Sequence, residues 1–302
     1  MEKITRLLPQ ACIALIVSLS LTACTSIGRM PVDVNQQQAI NQTNAIILTS
    51  QKNLEVEPMA APTGNYGSAF GVTGLIATAV VNGAIVHHEN KRTEQLFAPI
   101  HQNLAGVDFN QQMNQQLSKE LKTIKWLHFN KGHVYGEISL AKKNILTNES
   151  KGDAMVYVGL SYQLSNKALD ALIMTADVEI YKKGTPRPTL IYQNKFQYIE
   201  KLDPLPIKET IKYWADNNAA KARQAMQTGI KVLSKTIAQD IQNPTANSNQ
   251  YYPVNIWYTN IREGQAGLAA GYLEEKIGDK NIIRDRFGDL TIVNDRLIIK
   301  RT

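Results

Sequence analysis

Between Leu172 and Tyr181 apolar and polar residues alternate. Met174, Ala176, Val178 and Ile180 fall on one side, with Thr175, Asp177, Glu179 and Tyr181 on the other. That period of two predicts a strand with one face in a core. Gly184 and Pro186 break it, and Leu190 to Ile199 resumes with Leu190, Tyr192, Phe196 and Tyr198 on one side. Upstream, Ala154 to Leu164 is a mostly apolar run of strand length, and together the three predict an antiparallel meander. The period then lengthens. Ala222, Ala225, Met226, Gly229, Leu233 and Ile237 share one face of a helix over 219–241, opposite Gln224, Gln227, Lys231 and Lys235. A shorter helix over 207–215 precedes it. Phe109, Met113, Leu117 and Leu121 form another stripe, opened by Asp108 as a cap with Gln111 at the third helical position. Trp126 to Phe129 reads as a strand, and 45–50 and 53–57 as short strand-like runs.

These elements predict an α+β protein: an antiparallel β-meander packed against long amphipathic helices, with a small C-terminal β-meander. The latter follows from turns at Gly278-Asp279, Gly288-Asp289 and Asn294-Asp295. The organisation read from the chain is a leader over 1–23, a flexible tether over 24–44, an α+β body over 45–242 and a β-rich subdomain over 251–302. The tether is polar, with Gln36-Gln37-Gln38 and little periodicity, and a linker rich in Asn, Pro and Ser precedes the subdomain.

Residues 58–86 interrupt the body with 29 positions that carry no formal charge. Gly67 and Gly71 are four apart, as are Ala79 and Gly83, with Gly74 between. Small residues at that spacing let helices approach closely. The stretch is expected either to be buried or self-associating, or to span a membrane. Gly67, Gly71, Gly74, Ala79 and Gly83 are the candidate contact positions.

The leader decides the compartment. Lys3 and Arg6 precede an uncharged, mostly apolar run of 13 residues, Ala11 to Ala23. That is too short for a bilayer core, which takes about 20 residues, but it suits a signal peptide. It ends in Leu21-Thr22-Ala23-Cys24, which resembles the bacterial lipobox. The resemblance implies diacylation of the Cys24 thiol, which would become the new N-terminus. Thr25 and Ser26 follow where lipoproteins kept at the inner membrane carry Asp, so it also implies the outer membrane of a Gram-negative host, with the body facing the periplasm. The alternative is an ordinary secretory signal. Cys12 lies within the leader, so the mature chain would retain Cys24 alone and form no internal disulfide.

Composition and charge then exclude more than they assign. With 43% hydrophobic and 20% charged residues among 302, the chain is of globular type. Its net charge of +7 is spread thinly, and the compartment argues against nucleic acid as a partner. No phosphate loop or dinucleotide fingerprint occurs. Gly159-Leu160-Ser161 begins a nucleophile elbow, but Gln163 stands where the closing glycine is needed. The histidines, at 87, 88, 101, 128 and 133, lack metal-ligand spacing. Asp279, Asp285, Asp289 and Asp295 lack the order of a calcium loop. Tyr251-Tyr252 and Trp257-Tyr258 suit packing better than sugar stacking. No catalytic residue, metal site or cofactor is expected.

The order of elements over 108–241 (helix, strand, three antiparallel strands, closing helix) resembles periplasmic domains of the curli-secretion and TolB N-terminal type. The likeness is one of fold and implies an assembly role. The expected function is therefore an outer-membrane lipoprotein, not an enzyme, acting as an accessory or scaffold in envelope assembly. Its expected partners are the membrane, through the lipid, and either a second copy or another envelope protein. A lipid- or glycan-binding module is the alternative, and an envelope hydrolase a third reading.

Overall fold

The computed structural model describes residues 28–49, 51, 54–56, 97–165, 169–243, 256–262 and 265–299. It is an α+β structure built on a large mixed sheet. Three long strands, β4 (Ala154–Leu164), β5 (Ala171–Lys182) and β6 (Thr189–Lys201), form its centre and pair antiparallel, with Val158 opposite Val178 and Ala176 opposite Phe196. On one side of β4 lies β1 (Thr43–Leu48), parallel to it, and then β3 (Phe129–Tyr135), parallel to β1; β2 (Glu55–Val56) pairs with the end of β4.

On the other side β10 (Leu290–Asn294) pairs parallel with β6, and the order continues through β9 (Lys280–Arg284), β8 (Gln265–Ile277), β7 (Ile256–Arg262) and β11 (Ile298–Ile299). Residues 251–302, read from the sequence as a β-rich subdomain, thus contribute strands to the central sheet. Gly278 and Gly288 sit at the β8–β9 and β9–β10 turns with φ of +63° and +90°, a backbone region that favours glycine.

Both faces of the sheet are covered, which is why β4 is buried at almost every position. The main core lies under the helical segment 97–104 (α2), α3 (Phe109–Leu121) and α5 (Ile207–Gln242). Asp108 caps α3 by accepting from the Gln111 amide at 2.8 Å, and Phe109, Met113, Leu117 and Leu121 are buried. Burying each such side chain stabilises by about 1.5–3 kcal/mol. On α5, Met226, Gly229, Leu233 and Ile237 face the strands. Gly229 is needed there, because a Cβ would stand 2.5 Å from Met174 Sδ and 2.8 Å from Tyr198 Cδ1. The helix breaks at Asp216–Ala219, where Asn217 and Asn218 take left-handed φ of +52° and +58°, a region asparagine tolerates better than most residues.

The opposite face carries two smaller cores. One gathers Ile46, Leu48, Met155, Tyr157 and Tyr181 beside Leu146 of α4 (Leu140–Glu149). The other gathers Ile173, Ile199, Ile283 and Val293 with Tyr258 of β7 and Leu297. Among the described residues no helix is long and apolar enough to cross a membrane.

Two expectations are corrected. Residues 28–44 are not a flexible tether: Val32 and Ile40 are buried, Arg29 is 2% exposed, and Asp33 caps the short helix α1 (Val34–Gln38). The apolar residues of this segment, Met30, Val32, Val34, Ala39 and Ile40, are few and interrupted by polar ones, which makes too short a pattern to read. The second concerns Trp126 to Phe129. Residues 125–127 form a single 3-10 turn, His128 is left-handed at φ +44°, and the strand runs from Phe129 to Tyr135. That strand is an exposed edge rich in polar residues, so its alternation is weak.

Candidate functional site

Among the described residues, a buried polar cluster lies where the N-terminal segment, the end of α5 and the β9–β10 hairpin meet. Asp240 stands in the last turn of α5, where a negative charge is opposed by the helix dipole. It is nonetheless 3% exposed. Arg29 brings its Nε to 3.0 and 2.9 Å from the two carboxylate oxygens, while its Nη2 donates to the carbonyls of Asp240 and Asn243 at 3.1 and 2.9 Å. One guanidinium therefore neutralises the carboxylate and satisfies carbonyls that the helix end leaves open.

Arg284, at the end of β9, donates through Nη2 to Asp240 Oδ1 at 2.7 Å and through Nη1 to the Gly288 carbonyl at 2.7 Å. Its Nε and Nη2 also engage the Glu274 carboxylate of β8. Two side chains of β6 complete the shell: the Tyr192 hydroxyl donates to Asp240 Oδ2 at 2.6 Å and the Asn194 amide at 2.9 Å. The two guanidiniums and two carboxylates balance in charge, which is what such deep burial requires. Burial pushes the Asp240 carboxyl up, but Arg284 and then Arg29 more than offset it, so it titrates below its ordinary value. Burial and the neighbouring Asp240 charge drive the Tyr192 hydroxyl well above its usual range, so it remains a donor.

Beside this cluster is an open groove of about 360 Å³. Gln239, Asn243, Tyr272, Glu274 and Glu275 line it. A similar but smaller network ties β9 to β6, where the Lys280 ammonium reaches Glu200 at 2.6 Å and Asp279 at 2.9 Å.

Of the positions singled out in the sequence, those that the structure describes make other contacts. Cys24 and Gly67, Gly71, Gly74, Ala79 and Gly83 lie outside the described residues, as do His87 and His88. His101 packs edge-on against Phe97 and has its Nε2 2.6 Å from the Leu54 carbonyl oxygen. Ser161 pairs with Thr175 within the sheet. Asp285 accepts from the amides of Phe287 and Asp289 in its own turn, and Asp295 pairs with Lys276 and Asn281. Among the described residues no three His, Cys, Asp or Glu side chains gather to hold a metal ion. Arg29, Asp240 and Arg284 escaped the sequence reading. The one local signal was an acidic residue in the final turn of a helix, where it is disfavoured.

No family model matches the chain, and no curated protein matches it. A solved structure of the hypothetical protein CT253 from Chlamydia trachomatis is similar to it at 9% identity with a TM-score of 0.29, over 67% of this chain and 93% of that one.

Proposed function

We propose that this protein is an outer-membrane lipoprotein, anchored through Cys24 and facing the periplasm, with a non-catalytic accessory or scaffold role in cell-envelope assembly. The observation that supports the reading is the Arg29 clamp. Five residues after the lipobox cysteine, the chain is locked into the body by a buried ion pair with Asp240 and by an antiparallel bridge from Met30 to Gln193. A segment that transmits the position of an anchor to a folded body needs such a fastening. The antiparallel meander under a long amphipathic helix is the unit of the body that suits a scaffold, and the curli-secretion and TolB-type likeness belongs to this reading. Fractionation of envelopes tests it. The wild-type chain should follow the outer membrane and the Cys24→Ser variant should not; identical behaviour would overturn the anchor, and hydrolysis of peptidoglycan or ester substrates by purified protein would overturn the scaffold role.

A second reading, a glycan-binding module, is favoured by the groove beside Asp240. Its aromatic, amide and carboxylate lining is the type that recognises hydroxyl-rich ligands. A lipid held between α5 and the strands has less support, because Gly229 brings the helix into direct contact with Tyr198 and Met174.

A further inference from the structure

The turn between β9 and β10 is fastened to the point where the N-terminal segment enters the body. The Arg29 amide donates to the Phe287 carbonyl at 2.8 Å, and a Cβ on Gly28 would stand 2.7 Å from the same oxygen. On the other side of the turn, a Cβ on Gly288 would stand 2.5 Å from Arg29 Cβ. Asp285 holds the loop closed through the amides of Phe287 and Asp289. The turn and the start of the chain therefore move together.

At the tip the packing stops. Phe287 is 43% exposed, and the Arg286 guanidinium lies over its ring at 4.6 Å. An exposed aromatic ring beside a long basic side chain suits a membrane interface, where the ring can enter the head-group layer while the flexible arginine carries its charge out to water.

Reach supplies the second argument. Four peptide units separate Cys24 from Gly28, and at about 3.3–3.6 Å each they span at most roughly 15 Å. The head-group layer on each side of a bilayer core is itself about 5–8 Å thick. A body tied that closely to acyl chains stands at most roughly 10 Å clear of the head groups, and the residues beside Gly28 are the ones nearest the lipid surface.

We propose that the β9–β10 turn, through Phe287 and Arg286, is a membrane-surface contact that seats the body on the bilayer carrying its own anchor. This rests on acylation of Cys24. The occupant is the lipid head-group and acyl boundary of that leaflet; its recognition is by ring insertion, since Asp285 and Asp289 offset the charge of Arg286.

The test uses the full acylated protein. With the Cys24 sulfur bonded to lipid and Cys12 removed with the leader, Phe287→Cys, Arg286→Cys and Ile145→Cys each offer one free thiol for a nitrobenzoxadiazole probe. Ile145 is an exposed residue of α4, on the part of the sheet around β1 and β4. The proteins are reconstituted in vesicles of phosphatidylethanolamine and phosphatidylglycerol carrying nitroxide-labelled acyl chains. Blue-shifted, quenched emission at 286 and 287 with unquenched emission at 145 is the expected result. Acylated protein, verified by intact mass, with no quenching at 286 and 287, or with equal quenching at all three sites, would overturn the seating and leave the anchor standing. A mass showing unmodified Cys24 would overturn the anchor reading and this inference with it.

Discussion

Arg29 Nε lies 2.9 Å from Asp240 Oδ2, joining two residues 211 positions apart in the chain, both almost wholly out of contact with solvent. The pair closes the body around the segment that follows the expected anchor, and it is the contact on which the following predictions turn.

Asp240→Asn removes a negative charge shared by Arg29 and Arg284 while keeping the shape of the side chain. Two guanidiniums are then left facing a neutral amide, with Glu274 still paired to Arg284. The loss should be about 3–5 kcal/mol in urea unfolding. Arg29→Ala should cost less, because Arg284, Tyr192 and Asn194 still serve the carboxylate.

Stability should fall in acid with a defined sign. Asp240 titrates below its ordinary value in the folded protein, whereas in the unfolded chain it returns to about 3.9. Its contribution is complete above about pH 4 and is lost as the pH falls through the folded value. Urea midpoints measured across this range should decline for the wild type, and Asp240→Asn should flatten the decline.

Alkali should act on other groups. Burial, the largest cause in each case, pushes the hydroxyls of Tyr157, Tyr162 and Tyr181 up to about 12 from an ordinary 10. Because the folded state favours the neutral phenol, stability is full below about pH 10 and falls as these groups ionise on unfolding. Spectrophotometric titration should show a set of tyrosines ionising only near pH 12, together with loss of near-ultraviolet dichroism. Ionisation of all tyrosines near pH 10 with the fold intact would contradict this.

Gly229→Ala tests the contact between α5 and the strands. Alanine favours a helix by about 1 kcal/mol, but its methyl would overlap the Tyr198 ring, and such overpacking costs about 1–3 kcal/mol. The net effect should be a lower melting temperature. A higher one would mean that the helix does not lie on Tyr198.

The α+β class was legible because amphipathic periods of two and near 3.6 are strong where one face of an element is buried, as in β5 and α3. Asp108 was legible as a cap since the signal is local. The Arg29, Asp240 and Arg284 cluster was not, because its members come from three distant segments and each alone looks like a solvated charge. Residues 28–44 were misread for a related reason. Val32 and Ile40 are single contacts made by a segment with no regular face, and only the fold reveals what they pack against. The parallel pairing of β10 with β6 is likewise invisible locally, since Leu290 to Asn294 could extend any sheet.

The central claim is that the body is held at a membrane by lipid on Cys24, a few residues before the Arg29 clamp. Intact-mass spectrometry of the protein extracted from envelopes addresses it most directly. The account predicts a chain beginning at Cys24 and heavier than its sequence by the acyl groups. A chain with a free thiol at Cys24, or one that still carries residues 1–23, would contradict it.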